Sequence, residues 1–143
     1  MSSEARKNVQ IKMNTEITQE GEIENFSFDE PGKISYVNQQ IYVSFYEHSD
    51  NKSILVTLKI NEDKTIVLTR NAEQRLRVTF DKNNEVDNLY RTEYGPIQLQ
   101  TTTKRLDYKV ADDLSNGEVS IDYDLSNGEQ LFGEYKLRLQ FFV

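Results

Sequence analysis

Residues 114–118 spell LSNGE, and residues 125–129 spell it again. Asn-Gly is a strong hairpin signal, because a type I′ turn needs positive φ at both central residues. Between the two pentapeptides, Val119, Ile121, Tyr123 and Leu125 alternate with Ser120, Asp122 and Asp124. This is the period-two pattern of a strand with one apolar and one polar face. The repeat predicts three antiparallel strands joined by two tight turns, and so a β-meander.

The same pattern fills the rest of the chain. Val9, Ile11, Met13 and Ile17 share one parity, and a turn is predicted at Glu20-Gly21. A second strand carries Phe26 and Phe28. Pro31-Gly32 fits the central pair of a type II turn, since proline presets φ and glycine accepts a positive one. Ile34 and Tyr36 lead to a bend at Asn38-Gln39. Residues 41–47 (IYVSFYE) form a strand apolar on both faces, followed by a polar loop over 48–52. Ile54, Val56, Leu58 and Ile60 mark the next strand, then Ile66 and Leu68, then Leu76, Val78 and Phe80. Turns separate them at 61–64, 71–73 and 81–84. Residues 85–94 read as a loop or a distorted strand. Gly95-Pro96 opens a long strand, and the last runs from about 130 to 143. Turn signals about every 8 to 12 residues are the spacing of an all-β sandwich or barrel. Short connections predict antiparallel neighbours in up-and-down order, and closing such a meander removes its edges. The expected fold is all-β, a single antiparallel up-and-down meander closed into a barrel of about 8–10 strands. Residues 1–8 are expected to be disordered, and 9–143 to form one domain.

Composition narrows the function classes. Apolar residues are 36% of 143, a supply that strands with one buried face use economically. The net charge of −7, without a basic run, argues against nucleic acid as a partner. Without cysteine, disulfides and thiolate metal sites do not arise. The first residues lack an apolar signal region, and no apolar run nears the ~18 residues of a spanning helix, so a cytoplasmic protein with no membrane partner is expected. No P-loop, dinucleotide fingerprint or nucleophile–base arrangement is present, so no catalytic residue, cofactor or metal is assigned.

Taken in order, YVNQQIYVSFYE (36–47), LTRNAEQRL (68–76), YGPIQLQTTTKRL (94–106) and GEVSIDYDL (117–125) resemble the YwiB-like family over residues 9–143. This is a group of uncharacterised β-barrel proteins from Gram-positive bacteria with a domain of unknown function. Tyr46, Glu47, Arg70, Gln74, Gly95, Thr101 and Thr103 match its more distinctive positions, and Leu76 departs where an aromatic is expected. The resemblance implies a lipocalin-like, or calycin, barrel in the cytoplasm, with no established activity and no catalytic residues.

Candidate site residues are those that break the inward alternation with a polar group, since a buried charge is costly unless paired. The inward parity runs Ile41, Val43, Phe45 and then Glu47; Ile66, Leu68 and then Arg70; Ile97, Leu99 and then Thr101 and Thr103. Tyr123 and Tyr135 also fall inward. The strands of Glu47 and Arg70 run parallel, which predicts a Glu47–Arg70 pair at one mouth with Thr101 or Thr103 nearby. Two readings stand side by side: an interior ion pair that plugs the barrel, and a polar anchor for a ligand head group. His48 is expected at a solvated tip, and Asp122 with Asp124 on a solvated acidic face. Tyr42, Tyr46, Phe132 and Phe142 are expected on the outer wall, as shielding or as a homodimer surface. The leading expectation is a non-enzymatic binder of a small apolar or amphipathic ligand, through Glu47, Arg70, Thr101, Thr103, Tyr123 and Tyr135. The alternative is a filled barrel that acts as a protein-interaction module through its outer surface.

Overall fold

The structure, a computed structural model, describes residues 5–49 and 51–143. Ten strands follow in chain order: β1 (Ala5–Gln19), β2 (Glu22–Val37), β3 (Gln40–Ser49), β4 (Lys52–Ile60), β5 (Ile66–Asn71), β6 (Arg75–Phe80), β7 (Val86–Thr92), β8 (Gly95–Val110), β9 (Asn116–Ser126) and β10 (Leu131–Phe142). All pairings are antiparallel, in the order β6-β5-β4-β3-β2-β1-β10-β9-β8-β7. The sheet curls until β6 meets β7 and β8, although no ladder joins them. The result is a nearly closed up-and-down barrel, as the alternation predicts. Its ring closes through β1 and β10, where Gln10 lies opposite Phe142 and Ile17 opposite Tyr135.

The core is the inward parity of these strands. Ile11, Ile34, Val43, Leu58, Ile66, Phe80, Ile121, Leu137 and Phe141 are all almost fully buried. One end, here called the lower, holds the β2–β3, β4–β5, β6–β7 and β8–β9 connections. There Leu114 turns into the core at φ 62°, and Val143 donates its amide to the Ser115 carbonyl at 2.9 Å. The upper end holds the other turns and the polar ends of the inner faces.

Several local expectations change. Pro31-Gly32 is not a turn: β2 runs through it, with Gln10 opposite Pro31 and Val9 opposite Gly32. Pairing with β3 begins only at Gly32 opposite Phe45, so Pro31 sits where β2 has a free edge and its missing N–H costs no ladder bond. A Cβ on Gly32 would collide with Ile11 and the Ser44 carbonyl, so the glycine serves close packing rather than a turn. The two Asn-Gly pairs do not make type I′ turns. Asn116-Gly117 lies inside β9, opposite Phe142 and Phe141, and the preceding turn is built on 111–115. Of Asn127 and Gly128, only the glycine has positive φ (94°). Among the described residues, the two-residue turns with both φ positive are Glu20-Gly21 and Asn38-Gln39, both at predicted positions. Finally, residues 85–94 hold a regular strand, β7, and the loop predicted over 48–52 shrinks because β3 extends to Ser49 and β4 starts at Lys52. Residues 5–8, expected to be disordered, are part of β1 opposite 33–36; residues 1–4 of that segment lie outside the described residues.

Candidate functional site

Polar side chains on the inner wall near the upper end fall into two groups. The first spans β3 to β5. Val56 lies opposite both Phe45 and Arg70, which places Glu47, two residues past Phe45, one step nearer the same rim. Arg70 then reaches across β4: its Nε donates to Glu47 Oε2 at 3.1 Å and its Nη2 to Oε1 at 2.9 Å. The pair is bidentate, the geometry that suits a guanidinium to a carboxylate. The Glu47 side chain is 10% exposed and that of Arg70 38%. The hydrogen bond to Glu47 holds the Arg70 guanidinium firmly charged, above its ordinary range, against the opposing effect of burial. Arg70, Gln74 and Tyr90 line an open groove of about 740 Å³ on this rim.

The second group lies on β7 to β10. Asn88, opposite Leu99, and Thr101, opposite Val86, share the inner face of one hairpin, and Thr103 lies opposite Tyr123 on β9. Thr101 is 1% exposed and Thr103 8%. Thr101 Oγ1, Thr103 Oγ1 and Asn88 Nδ2 are buried and have no hydrogen-bond partner among the described residues. Buried polar atoms are normally satisfied by protein or by ordered water, so three such atoms on one hairpin without a protein partner set this wall apart from the first. Tyr123 stands next to them. Its ring stacks on Tyr135 at 4.9 Å and 9°, and tilts against Phe80 at 4.5 Å. Burial pushes both tyrosine hydroxyls above their usual range, that of Tyr123 strongly, so they stay protonated.

All six predicted site residues therefore face inward near one end, and Glu47 meets Arg70. The structure does not join the threonines to that pair, because β6 and β7 stand between β5 and β8. Asn88 escaped the sequence reading: its segment shows no clean alternation, since Leu89 is exposed while Asn88 and Tyr90 turn inward. Five clefts of 400 to 740 Å³ indent the rims and outer wall, and Glu47, Thr101, Thr103, Tyr123 and Tyr135 line none of them.

The remaining candidates sort plainly. His48 is exposed, with Nδ1 3.1 Å from Ser53 Oγ. Asp122 and Asp124 are not a free acidic face: Arg138 donates to Asp122 at 2.8 Å, and Lys104 lies 3.1 Å from Asp124. No cluster of three metal-ligating side chains occurs among the described residues. The outer aromatics do not form one patch. Phe132 packs against the core at the irregularity between Leu131 and Gly133. Phe142 on β10 and Tyr42 on β3 are separated by β1 and β2, about 14 Å at the usual strand spacing.

A family model described as a domain of unknown function (DUF1934) matches residues 11–139. The chain is 23% identical over 122 residues to the uncharacterised β-barrel protein YwiB of Bacillus subtilis, covering 85% of this chain and 84% of that one. The crystal structure of the ywiB protein superimposes with a TM-score of 0.81 at 19% identity, over 96% of this chain and 92% of that one.

Proposed function

The chain belongs to the DUF1934 family, and from that premise we propose that it is a non-enzymatic protein that binds a small apolar or amphipathic ligand in the upper half of its barrel. The observation that carries this reading is the set of orphans: Asn88 Nδ2, Thr101 Oγ1 and Thr103 Oγ1, on one inner wall beside Tyr123 and Tyr135. Apolar walls with a few convergent polar groups are how binding sites fix a ligand. Leaving a buried polar atom unpaired costs about 1–3 kcal/mol, which a bound group recovers. Both oxygens of Glu47 are engaged by Arg70, which suits a positioning role better than that of a base. In this reading the protein works in the cytoplasm as a calycin-like carrier or sensor, without cofactor, nucleic acid or membrane.

A second reading has its own support. Phe80, Tyr123 and Tyr135 pack ring to ring across the interior, while Tyr46 is 53% and Phe142 40% exposed. A filled barrel that acts through its outer surface, as a homodimer or on another protein, fits those facts. Native mass spectrometry of freshly purified protein separates the two. Binding gives an excess mass that vanishes on denaturation and is missing from Thr101→Val/Thr103→Val. A bare monomer or dimer mass from the unsubstituted chain overturns binding and favours the filled barrel.

A further inference from the structure

We propose that the ligand of this inner wall is an uncharged molecule with at least one hydrogen-bond acceptor, and not a carboxylate, phosphate or ammonium amphiphile; this rests on the interior-binding reading above. The charge distribution carries it. From β6 to β10, the inward parity around the orphans runs through Phe80, Val86, Leu99, Tyr123, Leu125 and Tyr135. None of these is an acid or a base with a charge at neutral pH. Lys104, at the register shift of β8, turns outward to Asp124 and Glu134.

Charge on the opposite walls is exposed or has a nearby partner: on the inward parity of β2, Glu24 opposite Ile17 is exposed, and Glu30 opposite Ile11 lies 4.0 Å from His48 Nε2. Glu47 and Arg70 meet through two hydrogen bonds, so together they present no net charge to the interior. An anion drawn to the Nη1 donors of Arg70, which Glu47 does not engage, would sit in the rim groove beside Gln74 and Tyr90 rather than on the inner wall, and a cation at Glu47 would have to displace Arg70 from both carboxylate oxygens. A charged head group on the Asn88–Thr101–Thr103 wall would be desolvated without a counter-charge. The available partners are an amide N–H that can only donate and hydroxyls that donate or accept. Asn88 therefore sets the minimum requirement, an acceptor atom, and the tyrosine rings set the apolar surroundings.

The test is a length-matched trio, decan-1-ol, decanoate and decylamine, titrated at pH 7 into the full chain, with native mass spectrometry for stoichiometry and thermal unfolding for affinity. The alcohol is expected to bind at least about tenfold more tightly than either charged congener. Thr101→Val/Thr103→Val is expected to weaken it about fivefold or more, while Asn88→Val gives a second, independent loss. Decanoate or decylamine binding as tightly as the alcohol overturns the uncharged class and leaves interior binding standing. Equal binding of the alcohol by the parent chain and all variants removes the site from this wall. Failure of all three to bind overturns interior binding itself, and the class with it.

Discussion

The two halves of the upper barrel solve one problem in opposite ways. On the β3–β5 wall, a carboxylate and a guanidinium are brought indoors and satisfy each other through two hydrogen bonds. On the β7–β8 wall, neutral side chains bury polar atoms that have no hydrogen-bond partner among the described residues. Charge is too costly to bury alone, so it arrives paired; neutral polarity is cheap enough to be left open. The first wall is finished by folding, and the second has hydrogen-bonding capacity to spare.

Four variants break or sharpen this contrast, and the largest effect belongs to the finished wall. Arg70→Ala should destabilise the fold by about 3 kcal/mol in urea unfolding, the lower end for a broken buried pair because the guanidinium is partly solvated. Glu47→Leu/Arg70→Met should recover most of that loss. If Arg70→Ala alone is neutral, Glu47 finds water and the wall is not closed. On the open wall the sign reverses. Thr101→Val removes an orphaned hydroxyl at constant shape, and should stabilise refolded, ligand-stripped protein by about 1 kcal/mol. A loss of stability there would reveal a partner for the hydroxyl and erase the distinction between the walls. The smallest effect is confined to alkaline pH. Tyr123 and Tyr135 have hydroxyl pKa values raised by burial, so the folded state keeps protons that the unfolded chain releases near pH 10. Their contribution is fully present below that pH and is lost as pH rises beyond it. Tyr123→Phe should flatten the fall in urea midpoint above about pH 10 and leave the midpoint's pH dependence at neutral pH unchanged.

Strand alternation made most of this fold legible before any coordinates. A barrel of about 8–10 strands and the inward parity of Glu47, Arg70, Thr101, Thr103, Tyr123 and Tyr135 follow from period two, and the antiparallel order from the short connections. What alternation misses is whatever depends on a distant partner. Pro31-Gly32 carries every local mark of a turn, yet β1 pairs straight through it and the glycine answers to Ile11 and Ser44. Asn116-Gly117 is likewise held in β9 by Phe141 and Phe142, and the turn falls on Leu114 instead. Asn88 was hidden for a related reason. β7 borders the seam and pairs only with β8, so its outward face carries Leu89 and blurs the pattern that would have placed Asn88 inside.

The ring is joined where the chain is most remote from itself and unjoined where it is nearest. β1 pairs with β10, whereas β6 and β7, linked by a short turn, share no ladder. Closure must therefore wait for the last strand to be synthesised, and the nine before it stand as two separate sheets, β1–β6 and β7–β9, with one edge of β1 and one edge of β9 unpaired. Long-range pairing of this kind is slow, and an unpaired edge exposed meanwhile is prone to aggregate. The kinetic weakness of this barrel lies in the interval before β10 docks on β1.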